Sequence, residues 1–226
     1  MTLIFLSDVR AVAPESVIAS GIFPEGLAGR ICRGTGEAVK ERVGAYALLS
    51  FAMEKYFGAH LSDTDIEIGK YGKPRLSDKH GSGRLNFNLS HGAGFAALVI
   101  TDEGCEVGID IEPPTDSARR ERLESRMSDV LPTADKIERA LDIAPLTVEM
   151  DTLGRCSEST TPTEIKTANG ECFETRWTLL EALMKCDGRG FSAVKSSADL
   201  CRYMSVRSMK ISYKDSTVYM SVAAQK

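Results

Sequence analysis

Two carboxylates stand two residues apart in Val107-Gly108-Ile109-Asp110-Ile111-Glu112. The apolar and acidic residues alternate as they do in a half-buried β-strand, where residues i and i+2 share a face. Asp110 and Glu112 therefore project together, and Ile109 and Ile111 point the other way into a core. Two like charges aimed at one spot repel. A hard divalent cation such as Mg²⁺, which takes oxygen ligands and keeps waters for substrate phosphates, would resolve that repulsion. The alternative is an edge strand with a solvated acidic face. A second charged pair lies in Trp177-Thr178-Leu179-Leu180-Glu181-Ala182-Leu183-Met184-Lys185, where Glu181 and Lys185 occupy positions i and i+4 of one helix face. Taken alone, that pair is an intrahelical salt bridge worth a few tenths of a kcal/mol.

The elements that must carry these residues can be read from periodicity. A short apolar strand is expected at 3–6, followed by a stretch punctuated by Pro, Gly and Ser. Residues 37–57 read as a long amphipathic helix, with Val39, Val43, Tyr46, Ala47, Ser50, Met53 and Phe57 at three- and four-residue spacing and Gly58 placed to end it. Strands are expected at 84–89, 95–100 and 106–112. The short Thr101-Asp102-Glu103-Gly104 connection predicts that the last two pair as a hairpin. A charged helix is expected over 117–130 and a second helical stretch near 135–141. Residues 152–171, rich in Thr, Ser, Glu and Gly, read as a long loop or disordered insertion. A helix over 173–185 and alternating strands at 210–213 and 218–222 complete the chain. The helix-then-strands plan occurs once in each half, so two lobes of related architecture are expected, 1–103 and 104–226, with a polar insertion at about 142–172.

Composition narrows the function classes. A chain of 226 residues, 42% hydrophobic and 27% charged, suits one large domain or two small lobes. Its longest apolar run is too short to span a membrane, and its start lacks the basic region of a signal peptide, so a cytoplasmic protein without membrane partners is expected. The six cysteines show no Cys-x-x-Cys pair and read as free thiols, and the three histidines show no zinc-ligand spacing with them. A net charge of −4 and a pI near 5.5 argue against nucleic-acid binding. An anionic substrate must then be held by local positive charge.

Taken in order, Gly72-Lys73-Pro74, Asn88-Leu89-Ser90-His91, Val107 to Glu112 and Trp177 to Lys185 resemble the motifs of the 4′-phosphopantetheinyl transferase superfamily. The likeness is closer to its large, monomeric, Sfp-like branch than to the short trimeric holo-acyl-carrier-protein synthases. The motifs cover about a quarter of the chain, a span in which one motif alone would be a weak signal.

This resemblance implies an α/β (α+β) pseudodimer of two similar subdomains, each an antiparallel sheet packed with a long helix, with coenzyme A and Mg²⁺ between them. It implies transfer of phosphopantetheine from coenzyme A to a serine of an acyl or peptidyl carrier protein, with release of adenosine 3′,5′-bisphosphate. Asp110, Glu112 and Glu181 would hold Mg²⁺ against the pyrophosphate. Glu181, or a water beside it, would take the serine proton, and Lys185 would neutralise the pyrophosphate. His91 would bind the 3′-phosphate, with Ser90 near the pyrophosphate, Lys73 and Pro74 flanking the adenine, and Arg42 as a further basic contact.

Arg119, Arg120, Arg122 and Arg126 could steer an acidic carrier protein, although Glu121 and Glu124 interleave with them and an ion-paired solvated helix is the alternative. The chain departs from the family pattern at Leu180, where a lysine is usual. A lysine restored there is expected to tighten coenzyme A binding if the position faces the ligand, and to leave it unchanged if the position packs in the core. Two other classes stay open: a different Mg²⁺-dependent phosphoryl-transfer or phosphodiester enzyme, and a weakened relative that only binds coenzyme A or a carrier protein.

Overall fold

The computed structural model describes residues 1–77, 85–132, 141, 143–159, 164–168, 172–190, 200 and 204–226. The expected helical stretch near 135–141 and the expected strand start at 84 fall outside these residues, except for position 141. The described residues form a mixed α/β protein that divides into two compact units, 1–104 with 143–161, and 105–142 with 162–226.

In the first unit, β1 (Thr2–Asp8) runs through the middle of a five-stranded sheet. On one side it pairs antiparallel with β5 (Phe95–Thr101), which pairs in turn with β4 (Asn86–Gly92). On the other side it pairs parallel with β7 (Leu146–Met150), which carries the edge strand β8 (Cys156–Glu158). Segment 143–161, expected in the second lobe, therefore belongs to the first unit, because the Phe5 to Asp8 edge of β1 recruits Leu146 to Glu149.

The helix expected over 37–57 is α3 (Glu37–Phe57), ended by Gly58 at φ +62°. Its Val43, Leu48, Leu49 and Met53 join Phe5, Phe87, Leu98 and Ile100 in one core. Each fully buried leucine of that kind contributes about 1.5–3 kcal/mol. Two short helices, α1 (Pro14–Ala19) and α2 (Leu27–Ile31), and a small hairpin of β2 (Ile66–Ile68) and β3 (Pro74–Leu76) complete the unit.

In the second unit, β6 (Val107–Glu112), β11 (Ser216–Gln225), β10 (Met204–Tyr213) and β9 (Glu164–Thr167) form an antiparallel sheet in that order. Helix α5 (Phe173–Asp187) packs on β6, β11 and β10. Helix α4 (Ser117–Met127) follows β6 and is capped by Asp116, whose side chain accepts a 2.8 Å bond from the Arg119 backbone N–H.

Two expectations are corrected. The strands at 95–100 and 106–112 do not form a hairpin, since both edges of β5 are taken by β4 and β1 while β6 pairs with β11. Residues Asp102 to Gly104 are instead the connection from one unit to the next. The hairpin partner of β5 is β4, through a tight turn with Ala93 at φ +54° and Gly94 at φ +78°. Nor is 152–171 wholly loop, because β8 and β9 lie within it. Both are edge strands, which need few apolar side chains, so their composition reads as loop.

Each unit also has an internal plan. In the first, strand β1 precedes helix α3 and the β4–β5 hairpin, and β1 pairs with the second hairpin strand. In the second, strand β6 precedes helix α5 and the β10–β11 hairpin, and β6 pairs with the second hairpin strand.

Candidate functional site

Strand alternation and helix periodicity bring four charged residues of the second unit together. On β6, Gly108, Asp110 and Glu112 share the face toward α5, and Ile109 and Ile111 are buried on the other. The helix can lie close only because position 108 has no side chain. A Cβ there would come within 2.1 Å of the Ala182 carbonyl oxygen and 2.4 Å of the Cys186 nitrogen, both backbone atoms. That approach carries Glu181 and Lys185, one turn apart on α5, to the acids of β6.

Lys185 reaches across from α5 to β6. Its Nζ donates a 2.7 Å hydrogen bond to Oδ1 of Asp110, which is 2% exposed. Arg119 of α4 donates from its guanidinium to Oε1 of Glu112 at 3.1 Å. Among the described residues, the cluster gathers Asp110, Glu112 and Glu181 with Lys185 and Arg119.

The excess of negative charge shows in the protonation of the acids. Glu181 is pushed up to about 8, first by burial and then by the charge of Asp110, with Lys185 opposing and Glu112 and a hydrogen bond to Asp110 reinforcing. Glu112 is raised in the same direction by burial and by Asp110, against the pull of Arg119 and Lys185. At neutral pH a proton on Glu181 does the charge-balancing work that a metal cation could do.

These donors fit Mg²⁺ in kind, being hard carboxylate oxygens whose mutual repulsion a divalent ion relieves. They are not a ready-made shell, since among the described residues no three His, Cys, Asp or Glu side chains form a group that could hold a metal ion. The physical reason is visible in the contacts: Lys185 and Arg119 engage an oxygen of Asp110 and of Glu112.

The site is braced from the start of α5. Glu174, 3% exposed, accepts from the Thr115 backbone N–H at 2.9 Å and from Arg120 at 3.0 Å. These hydrogen bonds and the Arg120 charge hold its carboxyl below the usual range against the effect of burial, the largest single influence on it. Arg119 and Arg120, expected as docking cations, are thus tied to Glu112 and Glu174, while Arg122 and Arg126 are exposed on α4. Leu180 is fully buried among Leu179, Leu183 and Trp177.

The remaining predicted residues all lie in the first unit. Lys73 and Pro74 are half-buried at the β2–β3 turn, where the Lys73 carbonyl accepts from Gly69 N–H at 2.9 Å. Ser90 and His91 are neighbours on β4, so they project to opposite faces of the sheet. Ser90 is buried, and His91 faces α3, with Nδ1 3.3 Å from Oε2 of Glu41. Arg42 is engaged by backbone: its Nε donates to the Ile31 carbonyl at 2.9 Å and its Nη2 to the Arg33 carbonyl, closing the end of α2.

Gly108 and Glu41 belong to no expected contact, and Arg119, expected as a docking cation, meets Glu112 instead. Gly108 stood in plain view within the acidic strand, and a glycine in a strand is itself the signal for close backbone approach. Arg119 and Glu41 had no local signal, because each meets its partner through tertiary packing. No protein-family model matches the chain, and no curated protein is significantly similar to it in sequence.

Proposed function

We propose that the chain is a 4′-phosphopantetheinyl transferase that moves phosphopantetheine from coenzyme A to a serine of an acyl or peptidyl carrier protein. The observation that carries this reading is the cluster itself, with Asp110 and Glu112 from a strand meeting Glu181 and Lys185 from a helix. The motif order in the sequence supports it. So does the internal plan common to the two units, strand, helix and hairpin with the first strand against the hairpin's last, which favours a pseudodimer of related subdomains.

In the reaction, the serine oxygen forms a bond to the phosphorus that carries the pantetheine. The bond from that phosphorus to the bridging pyrophosphate oxygen breaks, and adenosine 3′,5′-bisphosphate leaves with the electron pair. Asp110, Glu112 and Glu181 would hold Mg²⁺, which would supply charge stabilisation to the pyrophosphate. Lys185 is a fixed cation at the same place, able to offset negative charge on the leaving phosphate. Glu181, or a water beside it, would accept the serine proton. His91, Ser90, Lys73 and Pro74 of the first unit would take the adenosine end. Arg42 has the weakest case, its guanidinium being engaged by the Ile31 and Arg33 carbonyls.

The test is to incubate the protein with coenzyme A, Mg²⁺ and a panel of apo-carrier proteins, and to weigh the carriers by intact-mass spectrometry. The expected result is addition of one phosphopantetheine to at least one carrier, lost on chelation of the metal. No addition to any carrier overturns the reading.

A further inference from the structure

We propose that Glu41 is a positioning residue for His91, fixing the imidazole for the 3′-phosphate end of a coenzyme A-type ligand. The inference rests on the proposed function, from which it takes the ligand, and adds a residue that the motifs do not contain.

Glu41 lies on α3 with its side chain 13% exposed, and it spends both carboxylate oxygens on the end of the β4–β5 hairpin. Oε2 faces His91 Nδ1 at 3.3 Å, and Oε1 accepts the Gly94 backbone N–H at 2.8 Å. The turn is held from β1 as well. The Val9 N–H donates to the Gly94 carbonyl at 2.8 Å, and Arg10 packs so close that a Cβ on Gly94 would lie 2.5 Å from its Cγ. One carboxylate thus sets both the turn and the ring beside it.

The chemistry follows from the imidazole. A ring that donates Nδ1–H to a carboxylate has its tautomer and orientation set by that bond. Such a ring can also donate from Nε2 to a phosphate only when it carries both protons. Glu41 is the counter-charge to that doubly protonated form, and it fixes the direction in which Nε2 is presented.

The experiment measures binding of coenzyme A and of 3′-dephospho-coenzyme A by calorimetry to the full chain and to Glu41→Gln, His91→Ala and the double variant. Loss of one charge-assisted hydrogen bond predicts that Glu41→Gln weakens coenzyme A about five- to tenfold. The dephospho ligand should bind unchanged, and the double variant should bind coenzyme A no more weakly than His91→Ala. In ligand-free protein, ¹⁵N spectra of the ring should show a hydrogen-bonded Nδ1–H at His91 that Glu41→Gln removes.

If His91→Ala weakens coenzyme A while Glu41→Gln does not, the inference is overturned and the function stands. Equal weakening of both ligands by Glu41→Gln also overturns it, since the residue would then only brace the turn. If His91→Ala binds both ligands as the parent does, the assignment of His91 itself fails and the inference with it. The ring spectrum of the unsubstituted protein decides the matter should Glu41→Gln not fold, because an Nδ1 without that hydrogen bond overturns the inference.

Discussion

Lys185 donates a 2.7 Å hydrogen bond to Asp110, and this contact joins the helix and the strand that carry the candidate site. The Asp110 charge is also the leading electrostatic cause, after burial, of the raised Glu181 carboxyl. Asp110→Asn keeps the shape and removes the charge. It should let Glu181 fall from about 8 toward the usual carboxylate range, and it should weaken divalent binding at least tenfold, about 1.4 kcal/mol. A ¹³C titration of Glu181 and Mn²⁺ binding followed by electron paramagnetic resonance measure the two effects. An unchanged Glu181 titration together with unchanged Mn²⁺ affinity would remove Asp110 from the site.

Glu181 gives stability a pH dependence whose sign can be worked out. Its folded-state value, about 8, is above the ordinary value of 4.5, so the folded protein holds the proton more tightly than the unfolded chain does. The stabilisation is complete below about pH 4.5 and is lost as pH rises toward 8. Glu181→Gln mimics the protonated form. It should be more stable than the parent above pH 8, by on the order of 1–3 kcal/mol after allowance for partial exposure, and should show a flatter profile between pH 5 and 8. Urea melts across that range decide it, and parallel profiles for the two proteins would count against the raised carboxyl.

How legible all this was in the sequence depended on range. Asp110 and Glu112 could be placed on one face because strand alternation is local, and α3 could be bounded because its periodicity and Gly58 are local too. Strand pairing was misread at Asp102 to Gly104, where a short connection looked like a hairpin, because a turn-like tetrapeptide says nothing about whether its flanking strands already have partners. Edge strands β8 and β9 were read as loop because their pairing is through backbone, and composition reports side chains. The 2.7 Å bond of Lys185 to Asp110 is likewise a tertiary contact. Asp110 is 2% exposed, and a buried carboxylate attracts an ammonium strongly.

Gly108 tests whether helix approach makes the site. In Gly108→Ala the new Cβ meets two backbone atoms of α5, Ala182 O at 2.1 Å and Cys186 N at 2.4 Å, and neither can rotate away. The helix must lift from β6, costing about 1–3 kcal/mol or more and drawing Glu181 and Lys185 away from Asp110. Both a lower urea midpoint and a Glu181 titration moved from about 8 toward the usual carboxylate range are expected. A variant with parental stability and an unmoved Glu181 would show that the missing side chain at 108 does not set the approach of the helix to the acids.

Leu180 decides where the site takes its positive charge. The motif this helix resembles has a cation just before the glutamate, but in this chain the side chain at 180 is fully buried in the core with Leu179, Leu183 and Met184. A lysine there would bring an ammonium into an apolar environment, so Leu180→Lys should destabilise the unit by about 3–5 kcal/mol and should not tighten coenzyme A binding. Leu180→Met, which keeps the volume, should cost less than about 1.5 kcal/mol. Chemical denaturation of the two variants separates a charge effect from a packing effect, and a stable Leu180→Lys with tighter coenzyme A binding would put position 180 at the ligand. With Leu180 in the core, Lys185 meets Asp110 and Arg119 meets Glu112 among the described residues. Arg119 comes from α4, outside every motif, and its guanidinium donates to Glu112 at 3.1 Å, a charge beside the acids that does not depend on position 180.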